Sequence, residues 1–293
     1  MKPLVQLFVS SRPLSWVNTA FPFAAAYLMT TRQIDLTFIV GTVFFLIPYN
    51  VAMYGINDVF DYESDLRNPR KGGVEGAVLD RSLHPFILWA SLILCLPFVI
   101  YLAVVGNPAS WAVLAVSLFA VIAYSMKGLR FKEVPVLDSL TSSTHFVSPA
   151  VYGLVLAGAV FTPALWLILA AFFLWGIASH AFGAVQDINA DREGGLSSIA
   201  TVFGAAWTSR FALVAYALAA VFLVAAAGTG KAAWPVFYAA FVCIPYIVMV
   251  APFVRLRDAD AERANRGWRF FLAINFVAGF VVTILLILHW LFI

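Results

Sequence analysis

Residues 36–65 read LTFIVGTVFFLIPYNVAMYGINDVFDYESD. About twenty apolar residues, enough to cross a bilayer core, run directly into Asn57, Asp58, Asp61, Glu63 and Asp65. The pattern returns later, where an apolar window at 163–185 is followed by Asp187-Ile188-Asn189-Ala190-Asp191. The C-terminal end of a helix already carries the negative pole of its dipole. Carboxylates crowded there repel one another unless cations are bound. The two clusters therefore predict two divalent-metal clamps facing a polyanion at a membrane surface.

Composition agrees with a membrane setting. The chain of 293 residues is 63% hydrophobic and 11% charged, with a mean hydropathy of +0.93, far more apolar than a soluble domain needs. Apolar segments recur along the whole length, which excludes a secreted protein with a single leader. Cys95 and Cys243 both lie within apolar runs and read as packing residues, not a disulfide framework. A net charge of +3 without a basic stripe excludes nucleic acid as a partner.

Windows near 14–30, 36–55, 85–105, 109–126, 138–158, 163–185, 207–228, 233–254 and 268–292 are each long enough to span a membrane. They predict an all-α integral membrane protein, a bundle of nine transmembrane helices around a central cavity. Ser15, Asn18 and Thr19 dilute the first window; Thr141, Ser142, Ser143, Thr144 and His145 dilute the fifth, which Pro149 should also kink. Of the 18 Lys and Arg residues, all but Arg32 and Lys231 fall on the side of the N-terminal arm and the segments after windows 2, 4, 6 and 8. The positive-inside rule places that side, and the N-terminus, in the cytoplasm. This makes the chain a multi-pass protein of the inner (plasma) membrane with its acidic mouth facing the cytoplasm. All acidic residues except Asp35 share that side. The chain reads as one domain over 1–293. A pseudo-repeat of four-helix halves, 14–126 and 138–254, plus a ninth helix would bring both clusters to one mouth.

Asp58, Asp61 and Asp65 stand at i, i+3 and i+7, along one helical face, with the Asn57 amide oxygen beside them. Glu63 and Asp80 do not fit that face. Mg²⁺ takes a few carboxylates and completes its shell with water and substrate phosphate. The ordinary alternative, a solvated acidic loop, does not explain the regular spacing. Asp187 and Asp191 at i, i+4 could share a second ion. His180 and Ala184 lie on the same face toward the interior, where His180 is a base, a donor or a satisfied core histidine. A diphosphate also needs cations. Arg70 and Lys71, in a loop shaped by Pro69 and Gly72-Gly73, and Lys127 and Arg130 could reach phosphate oxygens. The 27 Phe, 10 Tyr and 9 Trp residues offer ring faces able to stabilise a carbocation, although most must serve packing or face lipid.

These residues resemble the UbiA-type intramembrane prenyltransferase superfamily. The resemblance rests on N-D-x-x-D-x-x-x-D at 57–65, D-x-x-x-D at 187–191, Arg12-Pro13 before the first window, and Tyr124-Ser125 with Lys127 and Arg130 after the fourth. It implies two Mg²⁺ ions held by the two Asp motifs and transfer of a prenyl group from its diphosphate to a lipophilic acceptor. Four further stretches are similar to bacterial lycopene elongases. They are Ser10–Thr19, Asn50–Ile56, Asn68–Gly76 and Leu140–Phe146. That likeness implies dimethylallyl diphosphate as donor, lycopene arriving from membrane lipid as acceptor, and Tyr124, His145 and His180 as possible acceptor-side groups. Many aromatic-acceptor members carry an acid four residues after the second motif, where this chain has Gly195. An aromatic-acceptor prenyltransferase of quinone, tocopherol or chlorophyll type is the first alternative. A cation-coupled transporter is the second, although its acids should lie near the bilayer midplane and not at helix ends.

Overall fold

The computed structural model describes residues 2–62, 66, 79–229 and 233–292, and the described residues are helical with no strand among them. Every apolar window falls on helix, and seven stretches are long and apolar enough to cross a membrane: 36–60, 81–105, 108–125, 163–185, 205–228, 234–253 and 258–292. The first and fifth windows are the exceptions to the expected nine. Helix α2 (Val17–Thr31) has 15 residues. Helix α7 (Leu137–Leu156) is long enough but too polar, and it runs on through Pro149. The chain divides into two compact units. One holds residues 1–131 and 144–159; the other holds 132–143 and 160–293.

The first unit contains α1 (Pro3–Ser10), α2, α3 (Leu36–Leu46), α4 (Pro48–Phe60), α5 (His84–Val105), α6 (Pro108–Ser125) and the later turns of α7. The second apolar window is thus two helices. Pro48 has no N–H and collides with the carbonyl four residues back, so the ladder fails at Ile47. Side chains repair the gap. Phe45 O accepts from Thr19 Oγ1 at 2.6 Å and from Asn50 Nδ2 at 2.8 Å, and the same amide reaches Leu46 O at 3.1 Å. Around this joint Phe23, Phe44, Phe45, Tyr49 and Tyr152 form a buried aromatic core. Gly153 lets α7 come close to α2, since a Cβ there would lie 2.9 Å from Phe23 O.

The second unit contains the first turns of α7, then α8 (Pro163–Val185), α9 (Ile188–Glu193), α10 (Ile199–Phe203), α11 (Ala205–Gly228), α12 (Ala233–Ala239), α13 (Cys243–Val250) and α14 (Asn265–Phe292). The eighth window is interrupted by 3₁₀ turns at 240–242 and 251–253, as its prolines at 235, 245 and 252 dictate. In lipid there is no hydrophobic drive between helices, so small residues and polar pairs decide packing. Helix α11 buries Ala205, Ala212, Ala215, Ala219 and Ala226 on one stripe, and α8 buries Gly176, Ala178 and Ala181. Ser179 and Tyr216 hydroxyls join α8 to α11 at 2.9 Å, and Tyr246 donates to Asn275 at 2.8 Å. Cys95 and Cys243 are both buried free thiols, as their apolar settings foretold.

Candidate active site

The first acidic motif hangs from the end of α4. Phe60 is the last helical residue, yet the Asp61 N–H still bonds to Asn57 O at 2.9 Å, so the turn carries both Asp58 and Asp61. Both side chains are buried. Each meets an arginine from far along the chain. Arg12 Nη2 lies 3.0 Å from Asp58 Oδ1, and Arg130 Nη2 lies 3.9 Å from Asp61 Oδ1. The Arg12 guanidinium also sits 4.4 Å above the Tyr54 ring, a cation–π contact that fixes its plane. Both arginines have left-handed backbones, with φ of 51° and 43°, a conformation costing about 1–2 kcal/mol without a glycine. Two strained arginines on two motif aspartates indicate a site whose geometry is imposed by its surroundings. Asn57 Nδ2 donates to Ser125 Oγ at 2.9 Å, which turns its amide oxygen away from α6.

Other expected groups fall in the same unit. Tyr124 and His145 meet edge to face, ring centroids 5.3 Å apart, with His145 buried. Lys127 is exposed in the loop after α6. Asp65, Arg70 and Lys71 lie outside the described residues.

The second motif is built differently. Helix α8 ends at Val185, Gln186 caps it, and Asp187 begins the short α9. The Asp191 N–H bonds to Asp187 O at 2.8 Å, so the two aspartates are one turn apart as their spacing predicts. The segment is braced on both flanks. Gln186 Oε1 accepts from Asn265 Nδ2 at 2.6 Å. Arg192 donates to Thr201 O at 2.6 Å and pairs with Asp258 at 2.8 Å. Asp258 in turn accepts the Ala205 N–H at 2.7 Å, holding the start of α11. Gly195 closes the motif at φ +70°, where an acidic residue would be strained. His180 lies two turns before Asp187 on α8, with Nδ1 3.0 Å from Ser139 Oγ. An apolar cleft of about 420 Å³, lined by Val224, Ala227, Trp234, Phe237 and Tyr238, lies toward the opposite end of α11 from Ala205 and belongs to neither motif.

Sequence reasoning missed Arg12 as the partner of Asp58, and it missed Asp138, a fully buried carboxylate at the start of α7. The signal for Arg12 was its place before Pro13. Asp138 was a lone acid and gave none.

An all-helical fold among the described residues, with seven stretches long and apolar enough to cross a membrane, defines a multi-pass membrane protein. A family model described as the UbiA prenyltransferase family matches residues 19–275, and the chain belongs to that family. Among known relatives, a C(50) beta-cyclic carotenoids biosynthesis protein of Dietzia sp. (strain CQ4) is 59% identical over 280 residues, covering 96% of this chain and 64% of that protein. This chain therefore spans just under two thirds of that relative's length. A lycopene elongase/hydratase of Corynebacterium glutamicum is 53% identical over 287 residues, 98% of each chain. A solved UbiA homolog from Archaeoglobus fulgidus, bound to DMAPP and Mg²⁺, shares the fold with a TM-score of 0.68 at 18% identity, over 95% of this chain and 99% of that one.

Proposed function

We propose that this protein is a lycopene elongase, transferring isoprenyl units from dimethylallyl diphosphate to lycopene in the membrane and releasing diphosphate. The observation that carries the reading is 53% identity over 98% of both chains to a lycopene elongase/hydratase. The buried, arginine-held Asp58 and Asp61 of the first motif accompany it.

The residues fit Mg²⁺. Hard carboxylate oxygens at helix ends are its preferred protein donors. Mg²⁺ takes a few protein carboxylates and completes its shell with phosphate and water. Asp58, Asp61 and Asp65 would hold one ion and Asp187 and Asp191 a second. Bound there, Mg²⁺ supplies Lewis-acid stabilisation of the departing diphosphate. Arg12 and Arg130 keep the first carboxylates aimed, while Asn57, Arg70, Lys71, Lys127 and Arg130 bind the diphosphate.

The allylic C–O bond breaks and its electron pair leaves on the diphosphate. The terminal alkene of lycopene then donates its π pair to the allyl carbon, forming the new C–C bond and a tertiary cation on the acceptor. An alkene is a weak nucleophile, so water must be kept out until this bond forms. Nine membrane-spanning helices, α2 and α7 among them, would provide that exclusion. The N-terminus and both motifs face the cytoplasm of the plasma membrane, the donor enters from water, and lycopene enters from lipid. Tyr124, His145 and His180 are the candidate acceptor-side groups in this reading.

An aromatic acceptor is less favoured, because Gly195 at φ +70° takes the place of the additional acid. Membranes containing the protein, supplied with dimethylallyl diphosphate, Mg²⁺ and lycopene, should form longer carotenoids detectable by mass. Asp61→Asn should stop diphosphate release in a protein that still folds in detergent. Full activity in excess EDTA, or prenylated quinone precursors in place of longer carotenoids, would overturn the reading.

A further inference from the structure

Asp138, Ser139 and His180 form a chain of hydrogen bonds that the acidic motifs do not explain. Asp138 is fully buried. Its Oδ1 accepts the Ser139 N–H at 2.6 Å and its Oδ2 accepts the Ile199 N–H at 2.7 Å. The Ser139 hydroxyl then has two neighbours, Asp138 Oδ1 at 3.1 Å and His180 Nδ1 at 3.0 Å. It has one proton to give. A carboxylate can only accept, so the hydroxyl proton points to Asp138. The Ser139 lone pair is left to accept the Nδ1–H of His180, which puts the basic lone pair of the imidazole on Nε2. The tautomer follows from the network and needs no observed hydrogen.

The backbone invests in this arrangement. Val136, two residues before Asp138, has φ 74°, an outlier for a β-branched residue, and it sets the first turn of α7. His180 keeps part of its surface accessible. It precedes Asp187 by seven residues on α8, about 10 Å at 1.5 Å per residue. That is roughly the reach from a diphosphate, across one five-carbon unit, to the carbon where the second cation forms.

We propose that His180 Nε2 takes the proton that ends the reaction, with Ser139 and Asp138 as its positioning residues; this rests on the prenyltransfer reading above. A C–H bond next to the tertiary cation gives its electron pair to a new C=C bond, and the proton passes to Nε2. The imidazolium formed is balanced through Nδ1–H, the Ser139 hydroxyl and the Asp138 carboxylate. The product is an alkene, with no water added. Removing the base leaves the cation to be captured by water as an alcohol.

The test compares wild type, Ser139→Ala, Ser139→Thr and His180→Gln in lycopene-containing membranes with dimethylallyl diphosphate and Mg²⁺. Diphosphate release and the ratio of elongated alkene to elongated alcohol are both measured. Wild type and Ser139→Thr should give mainly alkene. Ser139→Ala and His180→Gln should still release diphosphate but lower the alkene-to-alcohol ratio by tenfold or more, within the range for losing a general base. An unchanged ratio in both variants, or alcohol as the main wild-type product, overturns the role of His180. Absence of both diphosphate and elongated product in wild type would instead defeat the prenyltransfer reading itself. Ser139→Ala removes one hydroxyl and leaves both backbone bonds to Asp138, so folding is preserved where Asp138→Asn would endanger it.

Discussion

The two acidic motifs look alike in sequence, yet the arginines beside them are placed differently. At the first, cations grip the carboxylates themselves: Arg12 on Asp58 and Arg130 near Asp61. At the second, the cation braces the backbone. Arg192 is engaged with Thr201 and Asp258, and the turn bearing Asp187 and Asp191 is fixed between this anchor and Gln186. Direct ion pairing ties the charge of a motif to the stability of its unit. A brace through Arg192 holds that turn by contacts separate from its carboxylates.

The largest expected effect tests that separation. Asp58→Asn and Asp187→Asn should each lower diphosphate release by roughly 10²–10³-fold or more, as loss of a charge-stabilising group does. Asp58→Asn should also destabilise the fold, by about 3 kcal/mol, since it breaks a part-buried ion pair with Arg12. Thermal unfolding in detergent measures this, and an unchanged Tm would remove the structural role of the Arg12–Asp58 pair. A smaller effect is expected at the brace. Arg192→Ala should raise the Mg²⁺ concentration needed for half-maximal activity about 10- to 100-fold, the usual range for a residue that orients metal ligands. Asp258→Asn should follow it in the same assay; a lower kcat with no change in Mg²⁺ requirement would argue against bracing. The smallest effect belongs to Gly195→Asp, which should cost about 1–2 kcal/mol for its left-handed backbone and bring no prenylation of aromatic acceptors. Gain of an aromatic product would restore that alternative.

Much of the architecture was legible because lipid makes helices conspicuous. All nine apolar windows lie on helix, and the dilution of the first and fifth by Ser, Thr, Asn and His foreshadowed the two that fall short in length or hydropathy. The break in the second window could have been read from Pro48. Its repair could not, because Thr19 and Asn50 come together only in the folded unit. The spacing of Asp58 with Asp61 and of Asp187 with Asp191 announced one-turn pairs, and both occur. Their partners were hidden by distance along the chain. Arg12 is 46 residues from Asp58, and Arg192 looked like one more positive-inside charge. Asp138 was invisible for a different reason. A single carboxylate at a helix start normally satisfies its own first turn, and only the arrival of Ile199 and His180 from elsewhere gives it other work.

The joint between α3 and α4 has a consequence for how the first motif is aimed. In hydrocarbon each stranded carbonyl costs several kcal/mol, so an elbow of this kind persists only while the Thr19 hydroxyl and the Asn50 amide rivet it shut. That rivet makes a proline bend rigid. The arm from Pro48 to Asp61 projects at an angle set by two side chains and not by bilayer thickness, and the end that bears the first motif keeps its bearing when the surrounding lipid changes.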